Sequence, residues 1–237
     1  GPGVVSRTLT GDQREHTSDP RYQGRRVATG GEREQPISEV AWGSSAFNPS
    51  RGEQASLIYT LVRAAAVTIR LYDPDGGLVR MLRDGVPRAA GPHEEVWDGR
   101  DDAGQVVPDE AYTATIEMTS GAVYDPTTFS GGIVGDITEA QFDQEAGTMV
   151  YTLPTSARVL IRFGLHDGPM LKTLVDWEPR VAGTITEYWD GYDEDRLMRI
   201  REHKDFTVLI TYAVLPEATV ITYGNDQRRY RDYKLGH

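Results

Sequence analysis

The sequence predicts an all-β protein: two tandem antiparallel β-sandwich domains behind an extended N-terminal arm. Two observations carry this. The stretch Val96-Trp97-Asp98-Gly99-Arg100-Asp101-Asp102 returns as Tyr188-Trp189-Asp190-Gly191-Tyr192-Asp193-Glu194, so the chain is a tandem repeat. Subtracting 97 from 189 gives an offset of 92, which holds without a gap from Ala55 against Gly147 to Asp102 against Glu194, with 20 identities in 48 paired positions. Within each copy, short period-2 apolar runs recur every 8 to 12 residues or so with turn residues between them, the pattern of a sandwich.

At 237 residues and 26.3 kDa the chain accommodates two domains of roughly 100 residues, each able to bury a core. There is no cysteine, so neither a disulfide nor a thiolate metal site supports a module. The formal charge is −11; the first 35 residues are +1 and the last 13 are +2, which leaves −14 on the body. A body this acidic argues against a nucleic-acid function, which needs a basic face for phosphate. No apolar run approaches the roughly 20 residues of a membrane span.

Residues 1–35 lack periodic apolar positions and read as an extended arm or linker, in which Val4, Val5, Leu9, Tyr22 and Val27 are spaced for strand addition to a sheet edge, most naturally on another protein. The first sandwich spans 36–120. Ile37, Val40 and Trp42 form an edge strand; Leu57 to Leu61 follows; Val67, Ile69 and Leu71 alternate with Thr68, Arg70 and Tyr72. Asp73-Pro74-Asp75-Gly76-Gly77 is a turn of residues that fix φ or tolerate positive φ. Leu78 to Leu82, the strand ending at Trp97, and Tyr112, Ala114, Ile116 and Met118 complete the module. Residues 121–132 read as a linker, and 133–224 as a second, diverged sandwich in which Ala218 to Tyr223 is an added edge strand. Residues 225–237 form a charged tail whose Tyr230, Tyr233 and Leu235 equip it to dock.

Phe47-Asn48-Pro49-Ser50, Ile58-Tyr59-Thr60-Leu61, Val67 to Asp73, Gly77-Leu78-Val79, Gly91-Pro92-His93, Trp97-Asp98-Gly99, Gly104 and Tyr112 form a pattern that resembles the immunoglobulin-like domain of the flagellar hook-capping protein family. It is similar also to the C-terminal sorting domains of type IX secretion substrates. The second copy keeps Trp189-Asp190-Gly191 but has Arg196 where the first has Gly104, and Leu165 where the first has Asp73. The resemblance implies immunoglobulin/fibronectin-like sandwiches, a non-catalytic role, and an extracytoplasmic place, periplasmic or on the cell surface.

The Trp-Asp-Gly turns have a structural reading. Trp97 and Trp189 fill the cores, Asp98 and Asp190 accept backbone N–H groups, and Gly99 and Gly191 permit positive φ. The alternative is calcium held by Asp73, Asp75, Asp98, Asp101 and Asp102, although their spacing lacks the alternating pattern of a helix–loop–helix calcium loop. No cofactor or metal is assigned. His16, His93, His166, His203 and His237 fall in turns or tails and are not shared between the copies, and Glu94-Glu95 point to opposite faces of a strand, so no catalytic constellation is expected. Trp177 occupies a turn where the first copy has Gly85; together with Tyr22, Tyr230 and Tyr233 it is a candidate protein-interface residue. The leading expectation is thus a structural or accessory subunit binding other proteins of a larger envelope assembly. The runner-up is a carbohydrate-binding or other accessory module of a secreted enzyme, with Trp177, Tyr188, Tyr192 and Tyr212 as stacking surfaces, against a structural reading in which Tyr188 and Tyr212 alternate into the core.

Overall fold

The computed structural model describes Gly3–Val4, 35–128 and 133–235, and it divides the chain into two compact units. In chain order the strands are β1 (Gly3–Val4), β2 (Ile37–Trp42), β3 (Ala46–Phe47), β4 (Ala55–Leu61), β5 (Ala65–Tyr72), β6 (Leu78–Arg88), β7 (Gly91–Trp97), β8 (Ala111–Met118) and β9 (Val123–Tyr124). There follow β10 (Val134–Ile137), β11 (Gln141–Asp143), β12 (Thr148–Leu153), β13 (Ala157–Leu165), β14 (Met170–Arg180), β15 (Gly183–Tyr188), β16 (Phe206–Val214) and β17 (Thr219–Thr222), then the short helix α1 (Tyr230–Leu235).

The first module packs the antiparallel sheet β2-β4-β7 on the sheet β3-β17-β8-β5-β6, with β9 paired to β8. Period-2 alternation sends Leu57, Tyr59 and Leu61 of β4 and Val67, Ile69 and Leu71 of β5 into one core, closed by Trp97, Tyr112 and Ile116. The second packs β1-β11-β12-β15 on β10-β16-β13-β14 around Met149, Tyr151, Leu153, Val159, Ile161, Phe163 and Trp189. The repeat is therefore structural: β4, β5, β6, β7 and β8 correspond to β12, β13, β14, β15 and β16. Even the irregularities match, since β5/β6 slips register between Val67 and Ile69 and β13/β14 between Val159 and Ile161.

Three expectations need correction. Thr219–Thr222 is not an added strand of the second module. It pairs antiparallel with β8 (Val220 with Tyr112) and parallel with β3, and Val220 lies in the first core. The reason is occupancy: the corresponding flank of β16 is already taken by β10, Val134 to Ile137 against Ala213 to Ile210. The second module is accordingly inserted between β9 and β17 of the first. Next, part of the expected linker belongs to the first sandwich, because Tyr124 of β9 pairs with Ile116. Finally, the start of the arm does add a strand, but within the chain: Gly3 pairs with Phe142 and Val4 with Gln141 on the edge strand β11. Tyr22 lies outside the described residues.

The tail is held to the first module as well. The Gly224 and Asn225 amides donate to the Asp109 carboxylate at 3.1 and 2.9 Å, and Asn225 Nδ2 donates to the Val106 and Val107 carbonyls at 3.2 and 2.9 Å. Helix α1 then brings Tyr233 into the core at 2% exposure.

Candidate functional site

Trp97 is fully buried, and its Nε1 donates to the Arg100 carbonyl at 2.9 Å; Trp189 repeats the bond to the Tyr192 carbonyl at 2.9 Å. Asp98 accepts the Arg100 amide and Asp190 the Tyr192 amide, each at 3.0 Å. Gly99 (φ 74) and Gly191 (φ 88) sit in the left-handed region, and a Cβ on Gly99 would collide with Pro49.

The other candidate carboxylates of the first module also hold backbone. Asp73 accepts the Asp75 and Gly77 amides at 2.9 and 2.8 Å, Asp101 those of Ala103 and Gln105 at 3.0 and 2.9 Å, and Asp102 that of Met81 at 3.1 Å. Burial pushes the Asp73 carboxyl above its ordinary pKa, and the two amides restrain that rise. Asp75 receives the Tyr230 hydroxyl and Lys234 Nζ, the latter at 3.3 Å. Among the described residues no group of three or more His, Asp or Glu side chains is disposed to hold a metal ion.

Sequence reasoning missed a polar triad present in both copies. Tyr59 donates its hydroxyl to Glu95 Oε1 at 3.0 Å while Arg88 grips the same carboxylate with Nε at 2.7 Å and Nη2 at 3.2 Å. At the same offset Tyr151 donates to Glu187 at 3.0 Å and Arg180 binds it at 2.8 and 3.4 Å. All three positions are identical in the repeat, which was the available signal. Burial, then the neighbouring carboxylate, pushes both phenols far above the ordinary tyrosine range, so each stays a hydroxyl donor. Burial alone would raise the Glu95 carboxyl, but its bonds to Arg88 and Tyr59 and the charge of Arg83, 2.8 Å away, hold it below the usual glutamate value.

Because folding lowers that pKa, the unfolded chain takes up the Glu95 proton first. The stabilisation is complete above the ordinary glutamate pKa of about 4.3 and is lost as pH falls through the lower folded value. Glu95→Gln is expected to destabilise the first module by about 2 kcal/mol, less than the roughly 3–5 of a fully buried pair because Arg83 and Arg88 reach solvent. Urea midpoints measured from pH 7 down to about pH 3 should fall less steeply in the variant than in the parent.

Trp177 is not in a turn. It lies within β14 at φ 52, on the bulge where β6 has Gly85 at φ 61, and it is half-buried with its carbonyl accepting Arg158 Nη1 at 3.1 Å. The strand continues because the bulge, not a reversal, absorbs the left-handed residue. Likewise Arg196 (φ 58) stands where the first module has Gly104 (φ 80). Arg196 is exposed, and its 3.5 Å ion pair with Asp190 is solvent-screened and contributes little, so Arg196→Gly should raise the stability of the second module by about 0.5 kcal/mol, the relieved left-handed penalty less the entropy of a glycine and the small loss of that pair. A thermal melt checks this. Tyr230 and Tyr233, expected to meet another protein, are used inside the chain: Tyr230 bonds Asp75, and Tyr233 is covered by Arg228, whose guanidinium carbon is 4.7 Å from the ring centre. His93, expected in a turn, lies in β7 with Nε2 2.6 Å from the Ala89 carbonyl.

What faces outward in the second module is different. Tyr188 is 75% exposed and Leu197 85% exposed, and Tyr188 borders a shallow cleft of about 420 Å³ with Lys172, Leu174 and Asp190. Tyr192 is flanked by Arg196 and Arg199, each 5.4 Å from its ring centre.

The fold and these turns define a protein of two repeated immunoglobulin-like β-sandwiches, the second inserted in the sequence of the first. Residues 44–122 match the FlgD Ig-like domain, about a third of the chain, so the first module resembles the immunoglobulin-like domain of the flagellar hook-capping family. No curated protein matches the chain.

Proposed function

We propose that this chain is a non-catalytic, extracytoplasmic structural or accessory subunit that binds proteins of a larger envelope or surface assembly through its sandwich modules and N-terminal arm. The observation that carries the reading is where the polar chemistry goes. In both modules the Asp turns and the Tyr-Glu-Arg triads are spent on holding backbone and sheets together, while strand edges and the side chains of Tyr188 and Leu197 are left facing outward. The match to the FlgD Ig-like domain supports a structural role. No helix among the described residues is long and apolar enough to cross a membrane.

Cross-linking a tagged full-length chain in its native source, followed by fractionation, tests this. Recovery in the envelope fraction bound to other proteins is expected; recovery as free protein in the cytosol would contradict it. Removing residues 1–34 should weaken retention in that assembly if the arm contributes, and full retention would confine binding to the sandwiches. The carbohydrate reading draws on the exposed Tyr188 ring beside its cleft. A glycan array decides it: selective binding lost in Tyr188→Ala or Trp177→Ala would put sugar ahead of protein.

A further inference from the structure

We infer that β15 is a self-association edge through which two copies of this chain pair antiparallel about a two-fold axis at Thr186. The inference goes beyond the proposed function and is independent of where the protein resides. Strand β15 ends the order β1-β11-β12-β15, and the opposite end of that sheet is already closed by β1. Among the described residues β12 is the only strand paired with β15.

The direction of its backbone groups follows from the register. The Trp189 amide donates to the Gly147 carbonyl at 2.9 Å, so Trp189 points its main-chain groups toward the partner strand. In an antiparallel ladder this orientation alternates. Glu187 and Ile185, opposite Met149 and Tyr151, therefore bond inward, and Tyr188, Thr186 and Thr184 direct their N–H and C=O groups to the open edge. The side chains of these three residues are exposed.

The first module shows what a protected version of this edge looks like. Its counterpart β7 is set against β4 in the same register, Trp97 with Ala55, and at the matching edge positions it carries Pro92, Glu94 and Val96. Proline has no N–H to offer, and a charge on an edge discourages pairing. Two-fold pairing of β7 would set Glu94 against its own copy. The second module has replaced these residues by Thr184, Thr186 and Tyr188, which restores every donor and removes the charge.

The occupant is a second copy because the edge is complementary to itself. Centred on Thr186, two-fold pairing sets Thr186 opposite Thr186 and Thr184 opposite Tyr188, with about six N–H···O bonds from three residue pairs. No like charges meet among these residues even though each chain carries a net −11. The charged member of the strand, Glu187, is held on the inner side by Arg180 at 2.8 Å. The result is a continuous sheet across two second modules, with Tyr188 extending the contact on its outer face.

Sedimentation velocity of the full chain over a concentration series, beside Thr184→Pro/Thr186→Glu, tests the inference. Both substitutions copy residues that the first module accommodates at the same positions, so the melting temperature should stay close to that of the parent. A monomer–dimer equilibrium in the parent, weakened at least about tenfold in the double variant, is expected. Should the double variant unfold, a cysteine scan replaces it, since the chain has no cysteine of its own. Under mild oxidation Thr186→Cys should form a cross-linked dimer, because hydrogen-bonded antiparallel partners lie about 5.5 Å apart at Cα, within disulfide reach. Thr184→Cys, opposite Tyr188, should not. A parent that stays monomeric at all concentrations, a dimer indifferent to the double variant, or an edge that takes only unrelated peptides would each overturn the assignment.

Discussion

Ending the chain after Leu215 is expected to unfold the first module and leave the second folded. The lost segment contains β17, whose Val220 is fully buried and whose Ile221 is nearly so, together with Tyr233 of α1. It also carries Thr222, whose hydroxyl donates to the Pro108 carbonyl at 2.9 Å, and the Asn225 bonds to Val106 and Val107. Removing three buried apolar side chains forfeits roughly 5 to 8 kcal/mol, comparable to the whole stability of a small domain at about 5–15 kcal/mol. The cut would also uncover the β8 flank that β17 covers, leaving its main-chain groups without partners. The second module keeps its core, which among the described residues draws on none beyond Val214. Calorimetry should show the transition of the first module abolished, and a peptide of residues 216–237 supplied in excess should restore part of it.

Trp97→Ala is the second large effect. The indole is enclosed by Trp42, Phe47 and Tyr112 at ring-centre distances of 6.2, 5.5 and 5.5 Å, and its Nε1 is the donor to the Arg100 carbonyl. Alanine would leave a cavity too well framed by strands to collapse, at a cost of about 3–5 kcal/mol. Trp189→Ala should cost a similar amount in the second module, where the indole stacks on Phe163 at 3.9 Å. Each substitution should lower only the transition of its own module. A melting profile unchanged by Trp97→Ala would mean that the indole is not a core residue.

Most of the sandwich was legible because its signals are local. Period-2 alternation at Leu57 to Leu61 and Val67 to Leu71, and the Trp-Asp-Gly turns at a fixed offset, announce strands and reversals without knowledge of neighbours. Membership of sheets was not legible in the same way. The run Thr219 to Thr222 says that a strand exists, but its partner was decided by β10 already occupying β16, a fact of three dimensions. Chain order therefore favoured the wrong module. Trp177 misled for a related reason: a left-handed bulge usually reveals itself by glycine, as at Gly85, and the tryptophan hid it. The Tyr-Glu-Arg triads were visible as identities at Tyr59, Arg88 and Glu95, yet nothing in one dimension says that the three side chains converge across β4, β6 and β7.

The discontinuity of the first module is tested most directly by hydrogen exchange on the full chain carrying Trp97→Ala. Destabilising that module should release the amides of Val220, Ile221 and Thr222 together with those of β8, while β13 and β16 keep their protection. Exchange of 220–222 that instead stayed slow with the second module would contradict the assignment of β17 and return that strand to the copy that precedes it in sequence.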